Sequence, residues 1–412
     1  MSEPIPWDEA RRRVHAAARP LPASEMPLVE AEGATLAAPL VTLTDLPAFP
    51  TSSVDGWAVR GAGPWRIVGR VLAGDTARPI GDGEAVEIAT GAMVPDGTEQ
   101  IVRLENASRD GDRISGQGRP QKEWRVPGEE AYKGDELLPA GVTVSPGVLA
   151  LAAACGYDAL RVRPGPRASV LVFGDELLTA GLPTSGRIRD ALGPSLPAWL
   201  RRAGAVTDRA VTDRAVTDGD RGESQGRQRG SVLVRDTLEA HVRAIAGSDV
   251  DVICTTGGTM HGPVDHLHGA VAELGAEYVV NTVRVRPGFP MLVAKLPDGR
   301  FVAGLPGNPQ SAVVAFVSLV VPLLAGLSGA PLPALRQVTL GAPIPGRGDY
   351  THLALVRLAD DGHAYPLAHA GSSMLRGVAQ ADGFAMIAPG GTGEKGQPVP
   401  LVPVPMLNGE RP

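Results

Sequence analysis

The sequence predicts a multidomain α/β plus β protein. A three-layer α/β domain with a mostly parallel sheet is accompanied by an inserted, barrel-like β domain and a small C-terminal β domain. Three observations carry that prediction. The chain has 412 residues, enough for two to four domains. Strand-like and helix-like segments alternate between Arg167 and Gly329, the pattern of a parallel sheet with helices on both faces. Short alternating segments split by Gly, Pro and Asp fill Leu40–Val144 and the stretch from about Leu335 onward, as small all-β units require.

Composition narrows the function. A hydrophobic content of 43% with 20% charged residues fits modules with real cores. Aromatic residues at 4% are too sparse for a base-stacking platform. A formal net charge of −6 leaves no basic footprint for nucleic acid, so any bound phosphate must be held locally by backbone N–H groups and a few cations. Cys155 and Cys254 sit in apolar runs and read as buried free thiols of a reducing cytosol. The opening stretch MSEPIPWDEARRRV has no apolar core of a signal peptide, which points to a cytoplasmic protein. The apolar run Ala312–Leu327 contains Ser318 and Pro322 and falls short of the ~20 residues of a span, so it reads as a buried helix and no membrane partner is expected.

In chain order, Pro6–Arg19 has Trp7, Ala10 and Val14 spaced for one apolar helix face. RIVGRVLAG, AVEIATGAMV and EQIVRLE are strands, and SPGVLALAAACGY is helical. ASVLVF, DVDVICTT and FVAGL read as buried strands, with SLPAWLRRAG, VRDTLEAHVRAIAG, VDHLHGAVAELG and the Ala312 run as helices. RQVTLGAPI, HLALVRLA and GFAMIAP return to β structure. The direct repeat AVTDR-AVTDR-AVTD and the polar, Gly-rich stretch after it predict a disordered surface insert near 205–230.

Several segments hold residues suited to chemistry. Thr255-Thr256-Gly257-Gly258-Thr259 ends a buried strand, and Asp265 opens the next helix. Paired glycines let backbone approach a phosphate, and a neighbouring carboxylate holds Mg²⁺. A turn that needs positive φ, with Asp265 as a helix cap, is the plainer alternative. Gly304-Leu305-Pro306-Gly307-Asn308-Pro309 again lies between strand and helix on a constrained backbone path. Two such loops at strand carboxyl ends, where open α/β sheets bind ligands, read as a cradle for a phosphorylated small molecule. In Phe173-Gly174-Asp175-Glu176-Leu177, Glu176 is a metal ligand or general base, or else a carboxylate complementing a helix dipole. Asp190 and Asp236 pose the same choice between ligand contact and cap. Thr51–Trp57 and Thr90-Gly91-Ala92 are small-residue turns in the β unit. His261, His266 and His268 cluster, but no cysteine joins them as the fourth ligand a structural zinc needs, and they read as solvated helix-start histidines.

Taken in order, LPAFPTSSVDGWAVR, IATGAMVPDGTEQIVRLE, FGDELL, TTGGTMHGPVDHL, RPGFP and GLPGNPQSA resemble the motifs of the molybdopterin molybdenumtransferases. These are the bacterial MoeA proteins and the E domain of gephyrin, and the resemblance spans nearly the whole chain. It implies a homodimer of four-part subunits. Residues 1–43 and 134–165 would form a linker and dimerisation domain, 44–133 the inserted β domain, 166–331 a MogA-like molybdopterin-binding domain and 332–412 the C-terminal β domain. It implies adenylylated molybdopterin and molybdate as substrates, Mg²⁺ as cofactor, and Mo-molybdopterin and AMP as products. The pterin nucleotide would be handed over by a molybdopterin adenylyltransferase.

Carried over by motif, Asp55, Thr90, Glu176 and Asp265 are the catalytic set, with Glu176 and Asp265 also on Mg²⁺, and with Asp55 and Thr90 reaching in from the other subunit. Gly257, Gly258, Thr259, Asp190, Asp236, Arg286, Pro290, Gly304, Pro306, Gly307, Asn308, Pro309 and Ser372 form the substrate-binding set. The family's Lys-Pro-Gly-Lys-Pro, preceded by another Lys, departs here. Arg286 keeps the first charge of that motif, Phe289 replaces the second and Thr282 replaces the upstream Lys. In a strand Arg284 shares a face with Thr282 and Arg286 and would restore a charge, while Phe289 would stack on a pterin or shield the pocket. Asp190-Ala191-Leu192 stands for Asp-Ser-Asn, and Phe173 for the usual Thr. A C-terminal Arg corresponds to Arg347 or has become His352, with Ser372 and Ser373 offering hydroxyls. Losing two charge-assisted donors, each about 1.5–3 kcal/mol, would weaken oxyanion binding by roughly two to four powers of ten. The leading expectation is an active molybdenum insertase. A carrier or regulator that binds the pterin nucleotide or AMP without inserting metal comes second, and a structural scaffold third.

Overall fold

The computed structural model describes residues 3–119, 123–207, 230–260 and 265–405. The chain divides into two compact units: Met1–Ser24 with Gly33–Thr35 and Arg163–Pro412, and Glu25–Glu32 with Leu36–Val162. The first unit opens with a two-residue strand, β1 (Ile5–Pro6), and helix α1 (Trp7–Ala17), which buries Trp7, Ala10, Arg11 and Val14. Asp8 and Glu9 in its first turn complement the helix dipole. The helix ends two residues before the predicted Arg19, because Pro20 disfavours helical geometry at the residue it follows.

In the second unit, β2 (Gly56–Val59), β3 (Trp65–Val71), β4 (Glu84–Ile88), β5 (Gln100–Arg103), β6 (Ala107–Asp110) and β7 (Arg113–Gly116) form a sheet in the order β6-β7-β3-β4-β2-β5. Ile101 of the end strand bridges Arg119 just beyond β7, which gives the sheet its barrel-like closure. Strand alternation sends Ala58, Val86, Ile88 and Ile101 into one core and Trp57, Val59, Ala85 and Val102 into another. Helix α2 (Pro146–Ala154) starts at Ser145, whose hydroxyl accepts the Val148 N–H.

The α/β part of the first unit contains β8 (Ala168–Phe173), α3 (Leu192–Arg202), β9 (Ser231–Val234), α4 (Leu238–Ala246), β10 (Val252–Thr256), α5 (Leu267–Glu273), β11 (Glu277–Asn281), β12 (Val283–Arg286), β13 (Leu292–Lys295) and β14 (Phe301–Leu305). The sheet order is β9-β8-β10-β14-β13-β11. The first four strands are parallel; β13 pairs antiparallel with β14, and β11 antiparallel with β13. Every residue of β8, β10 and β14 is buried, as strands covered on both faces must be. Val170 and Val172 enter one core, Leu171 and Phe173 the other.

Three expectations change here. Val234, assigned by periodicity to a helix, ends strand β9, and α4 begins only after the Thr237 cap. Ala205 is buried and Val206 bridges Arg167, so the predicted insert begins later than expected; the rest of the repeat, 208–229, lies outside the described residues. The final helix is also longer. Helix α6 (Pro309–Ala315), a π turn (Phe316–Val320) and helix α7 (Val321–Ser328) together span 20 residues. That run is long and apolar enough to cross a membrane, but 83% of its apolar window is buried inside the protein. Its Ser318 accepts a hydrogen bond from the Trp7 indole at 2.7 Å.

The C-terminal strands β15 (Arg336–Leu340), β16 (Thr351–Leu358), β17 (His363–Pro366), β18 (Gly383–Ile387) and β19 (Pro398–Pro403) run β16-β17-β15-β19-β18, and β18 returns to pair with β16. That pairing closes a five-stranded barrel around Leu340, Val356, Ala385 and Leu401. Strand β12 leaves the α/β sheet and pairs in parallel with β16, while β1 pairs in parallel with β12. The switch happens at Thr282, whose φ of 69° breaks the strand. Thr282 therefore does not share a strand face with Arg284 and Arg286.

Candidate functional site

Three loops leave the carboxyl ends of β8, β10 and β14 side by side. Thr255 lies beside Gly304 and Thr256 beside Leu305. Gly257 (φ 85°) and Gly258 (φ 66°) are both left-handed, a conformation costly for other residues. The Gly257 N–H donates to the Leu305 carbonyl at 2.9 Å. A Cβ on Gly307 would stand 3.7 Å from the Gly257 Cα, so the two Gly-rich loops touch. The N–H groups of Gly258 and Thr259 make no bond among the described residues, which leaves them as donors.

The second loop differs from a plain phosphate cradle. Gly304 is a buried strand residue: a Cβ there would press on Leu267 at 2.7 Å and Leu292 at 2.8 Å, so its role is packing. Pro306 is buried, and Pro309 occupies the first turn of α6. The N–H groups of Gln310 and Ser311, the donors a phosphate would use, both point at the Ser372 carbonyl at 2.9 and 3.3 Å. Only Gly307 and Asn308 are exposed.

Carboxylates gather at the same edge. Asp175 and Glu176 follow β8, Asp236 follows β9, and Asp265 precedes α5. The Asp236 N–H donates to Asp175 Oδ1 at 3.4 Å. Burial raises the Asp236 carboxyl above its ordinary range, and the charges of Asp175, Glu176 and Asp265 raise it further while His266 opposes them. Behind it, the fully buried His241 lies flat on Phe173, with ring centroids 3.5 Å apart and planes 12° apart. Its Nε2 is 3.2 Å from Asp236 Oδ1. Burial, followed by His266, lowers His241 to about 4, so the ring is neutral near pH 7. No local pattern marks His241, which sits on a helix face like any core residue.

Among the described residues no three His, Cys, Asp or Glu side chains converge on one metal position. A hard cation at this edge would take one or two carboxylates and fill its shell with water and phosphate oxygens, the habit of Mg²⁺. Asp190 takes the capping role of the two its position allowed. Buried just before α3, its Oδ1 accepts the N–H groups of Leu192 and Gly193 at 3.0 and 2.9 Å, and so caps the helix. His268 is engaged by the Tyr278 hydroxyl at 2.7 Å and the Thr259 carbonyl at 3.2 Å, and His266 stands edge-on to His241. His261 lies outside the described residues.

In the second unit, Asp55 and Thr90 meet. Asp55 Oδ1 accepts both the Thr90 N–H at 2.7 Å and its hydroxyl at 3.1 Å, and both residues are exposed. Gly56 must lack a side chain because a Cβ would collide with the Val102 carbonyl.

The cationic residues lie where β12 meets the C-terminal barrel. Arg286 is exposed and stands across from His352 in the strand register. Its guanidinium carbon lies 4.5 Å from the centroid of Tyr350 and 5.3 Å from that of Phe289. Phe289 therefore packs on Arg286 and Tyr350. Arg284 bonds to Glu3 at 3.3 Å and to the Pro4 carbonyl at 3.2 Å, so its charge is already matched. A cavity of about 500 Å³ beside it is lined by Pro4, Arg284, Asp349, Tyr350, Pro389 and Gly390. His352 Nδ1 pairs with the Pro345 carbonyl at 2.8 Å, and burial lowers its pKa, so it supplies no charge at neutral pH. Arg347, Ser372 and Ser373 are exposed, and Pro290 is half-buried.

A mixed α/β sheet with ligand-ready loops at its carboxyl edge, coupled to a closed β barrel, defines the class as a multidomain α/β fold with a ligand site at the sheet edge. Three family models follow one another along the chain: the MoeA N-terminal region (domain I and II) over residues 5–156, the probable molybdopterin binding domain over 225–326 and the MoeA C-terminal region (domain IV) over 337–404. A molybdopterin molybdenumtransferase of Staphylococcus epidermidis is 28% identical over 411 residues, covering 94% of this chain and 92% of its own. One from Staphylococcus aureus is 28% identical over 353 residues, covering 82% and 80%. The crystal structure of a molybdopterin biosynthesis MoeA protein from Pyrococcus horikoshii superposes with a TM-score of 0.73 at 24% identity over 98% of this chain and 99% of that one. The chain belongs to the MoeA family of molybdopterin molybdenumtransferases, and with it to molybdenum cofactor biosynthesis as a transferase.

Proposed function

We propose that the protein inserts molybdate into adenylylated molybdopterin in a Mg²⁺-dependent reaction that releases Mo-molybdopterin and AMP. The observation that carries this reading is the group of Asp175, Glu176, Asp236 and Asp265 beside the open Gly258 and Thr259 amides, where Asp236 is raised by burial and then by the neighbouring carboxylates. Backbone donors would bind the phosphate oxygens, and Glu176 and Asp265 would hold Mg²⁺. Bound there, Mg²⁺ would neutralise charge developing on the phosphoric anhydride as it is hydrolysed. Asp236, steadied by Asp175 and backed by His241, would orient the attacking water and accept its proton. Arg286 would receive the molybdate oxyanion.

The working form on this reading is a homodimer in which Asp55 and Thr90 act on the partner's substrate, delivered by a molybdopterin adenylyltransferase. AMP release from adenylylated molybdopterin, measured with and without molybdate and Mg²⁺, tests the reaction. No AMP under conditions where an ordinary family member turns over would refute it. For the dimer, mixing inactive Asp55→Ala and Glu176→Ala proteins should restore activity, and continued inactivity of the mixture would count against action across subunits.

A second reading is favoured by one observation: Arg284 is spent on Glu3 and Pro4, leaving a thin cationic half. On that reading the protein carries the pterin nucleotide without inserting metal. Tight nucleotide binding with no molybdate-dependent product would establish it.

A further inference from the structure

We infer that Phe289 and Tyr350 form an aromatic clamp that orients the Arg286 guanidinium for two-point recognition of a tetrahedral oxyanion. They would thus be positioning residues that set anion affinity. The inference rests on the reading above that this protein takes up an oxyanion. Arg286 is exposed and forms no hydrogen bond or ion pair among the described residues. Its guanidinium carbon lies over the two rings, 4.5 Å from the Tyr350 centroid and 5.3 Å from that of Phe289. The rings stand 5.9 Å apart at 70°, so they form two walls of a corner and not a stack.

Contact through ring faces consumes no N–H group. All five donors of the planar fork stay available for an anion, whose two oxygens match two parallel N–H groups. A free arginine at the surface would lose rotamer freedom on binding, whereas a clamped one has already lost it.

Backbone holds both walls. The Phe289 carbonyl accepts the N–H groups of Val283 at 3.2 Å and Met291 at 3.0 Å. Gly288 (φ 99°) seats that turn against α6, where an added Cβ would lie 3.1 Å from the Ser311 carbonyl. Tyr350 directly precedes β16, whose Thr351 pairs with Val285. The same register that sets Arg286 across from His352 therefore sets the Tyr350 ring beside Arg286. A lysine at 289 would add charge on a flexible stem. Phenylalanine instead adds orientation to the Arg286 charge, the neighbouring Arg284 being bound by Glu3.

The test is calorimetric titration of the full-length protein with sodium molybdate and sodium tungstate, paired with turnover kinetics. Phe289→Leu and Tyr350→Leu should each weaken molybdate binding roughly two- to fivefold, the worth of one exposed cation–π contact. Phe289→Tyr and Tyr350→Phe should restore wild-type affinity. In an Arg286→Ala background, Phe289→Leu should change molybdate binding no further. In turnover, KM for molybdate should rise by the same factor while kcat at saturating molybdate changes little. Wild-type binding that Phe289→Leu leaves unaltered, or a Phe289→Tyr protein no better than Phe289→Leu, overturns the clamp alone. Wild-type protein that binds neither anion overturns the functional reading and the clamp with it.

Discussion

Replacing Gly193 by alanine separates a general rule from a local contact. Helix propensity alone favours alanine over glycine by about 1 kcal/mol. In α3, however, a Cβ on Gly193 would fall far inside contact distance of Asp190 Oδ2, with the Ser231 hydroxyl 3.2 Å away on another side. Asp190 must then swing out and give up its bonds to the N–H groups of Leu192 and Gly193, at 3.0 and 2.9 Å. Bonds to a charged acceptor contribute about 1.5–3 kcal/mol each. Partial relaxation and the propensity gain offset some of this, so Gly193→Ala should destabilise the helix start by about 2–4 kcal/mol. Hydrogen-exchange protection of amides in Leu192–Arg202 measures this locally, without requiring the whole multidomain chain to unfold in two states. In an Asp190→Ala background the cost of Gly193→Ala should shrink by at least 1 kcal/mol, because the colliding carboxylate is gone. Unchanged or increased protection in Gly193→Ala would refute the capping role given to Asp190.

Three further outcomes are expected. Ser318→Ala leaves the buried Trp7 indole N–H without its acceptor and should cost about 1–3 kcal/mol in urea denaturation, while Ser318→Thr, if accommodated, should cost less. His241 takes its proton only near pH 4 in the folded chain, against roughly 6.5 when unfolded, so stability falls as pH drops from about 6.5 to about 4. Asp236, raised on folding, acts in the opposite sense: its contribution falls as pH climbs above the ordinary carboxylate range. His241→Phe should therefore flatten or invert the acid-side slope of urea midpoints between pH 4.5 and 7, and an unchanged slope would contradict the buried neutral imidazole. Glu176→Gln and Asp265→Asn should raise the Mg²⁺ concentration for half-maximal AMP release by at least the roughly 10–100-fold typical of losing even an outer metal partner. Equal Mg²⁺ dependence in variant and wild type would remove these two residues from the metal.

Much of the α/β core was legible because its strands are long uniform apolar runs: ASVLVF and FVAGL have the boundaries seen in β8 and β14. Strand β9 was hidden, since its four residues stand between a polar insert and an amphipathic helix and share the helix's apolar spacing. The switch of β12 into the barrel was also invisible. It depends on the left-handed Thr282 and on pairing with β16, and neither leaves a local pattern. The Gly-Gly loop and the acidic residues could be found in the sequence as motifs. The cap made by Asp190 is local and was one of the two readings its position allowed, but the jobs of Gly304 and Ser372 could not be read, because packing and docking are set by neighbours farther along the chain. Tyr350 escaped notice for the same reason: only the register of β12 on β16 brings it to Arg286.

The hydrogen bond from Trp7 to Ser318 joins residues 311 positions apart. During synthesis at about 5–20 residues per second, the apolar face of α1 waits about 15–60 s before its partner helix leaves the ribosome. For that interval Trp7, Ala10 and Val14 have no core to enter, and the edge of β1 has no β12 beside it. The N-terminal segment, first to be made, is thus among the last to settle. Over that time the charged neighbours Asp8, Glu9, Arg12 and Arg13 are what the helix itself sets beside that face.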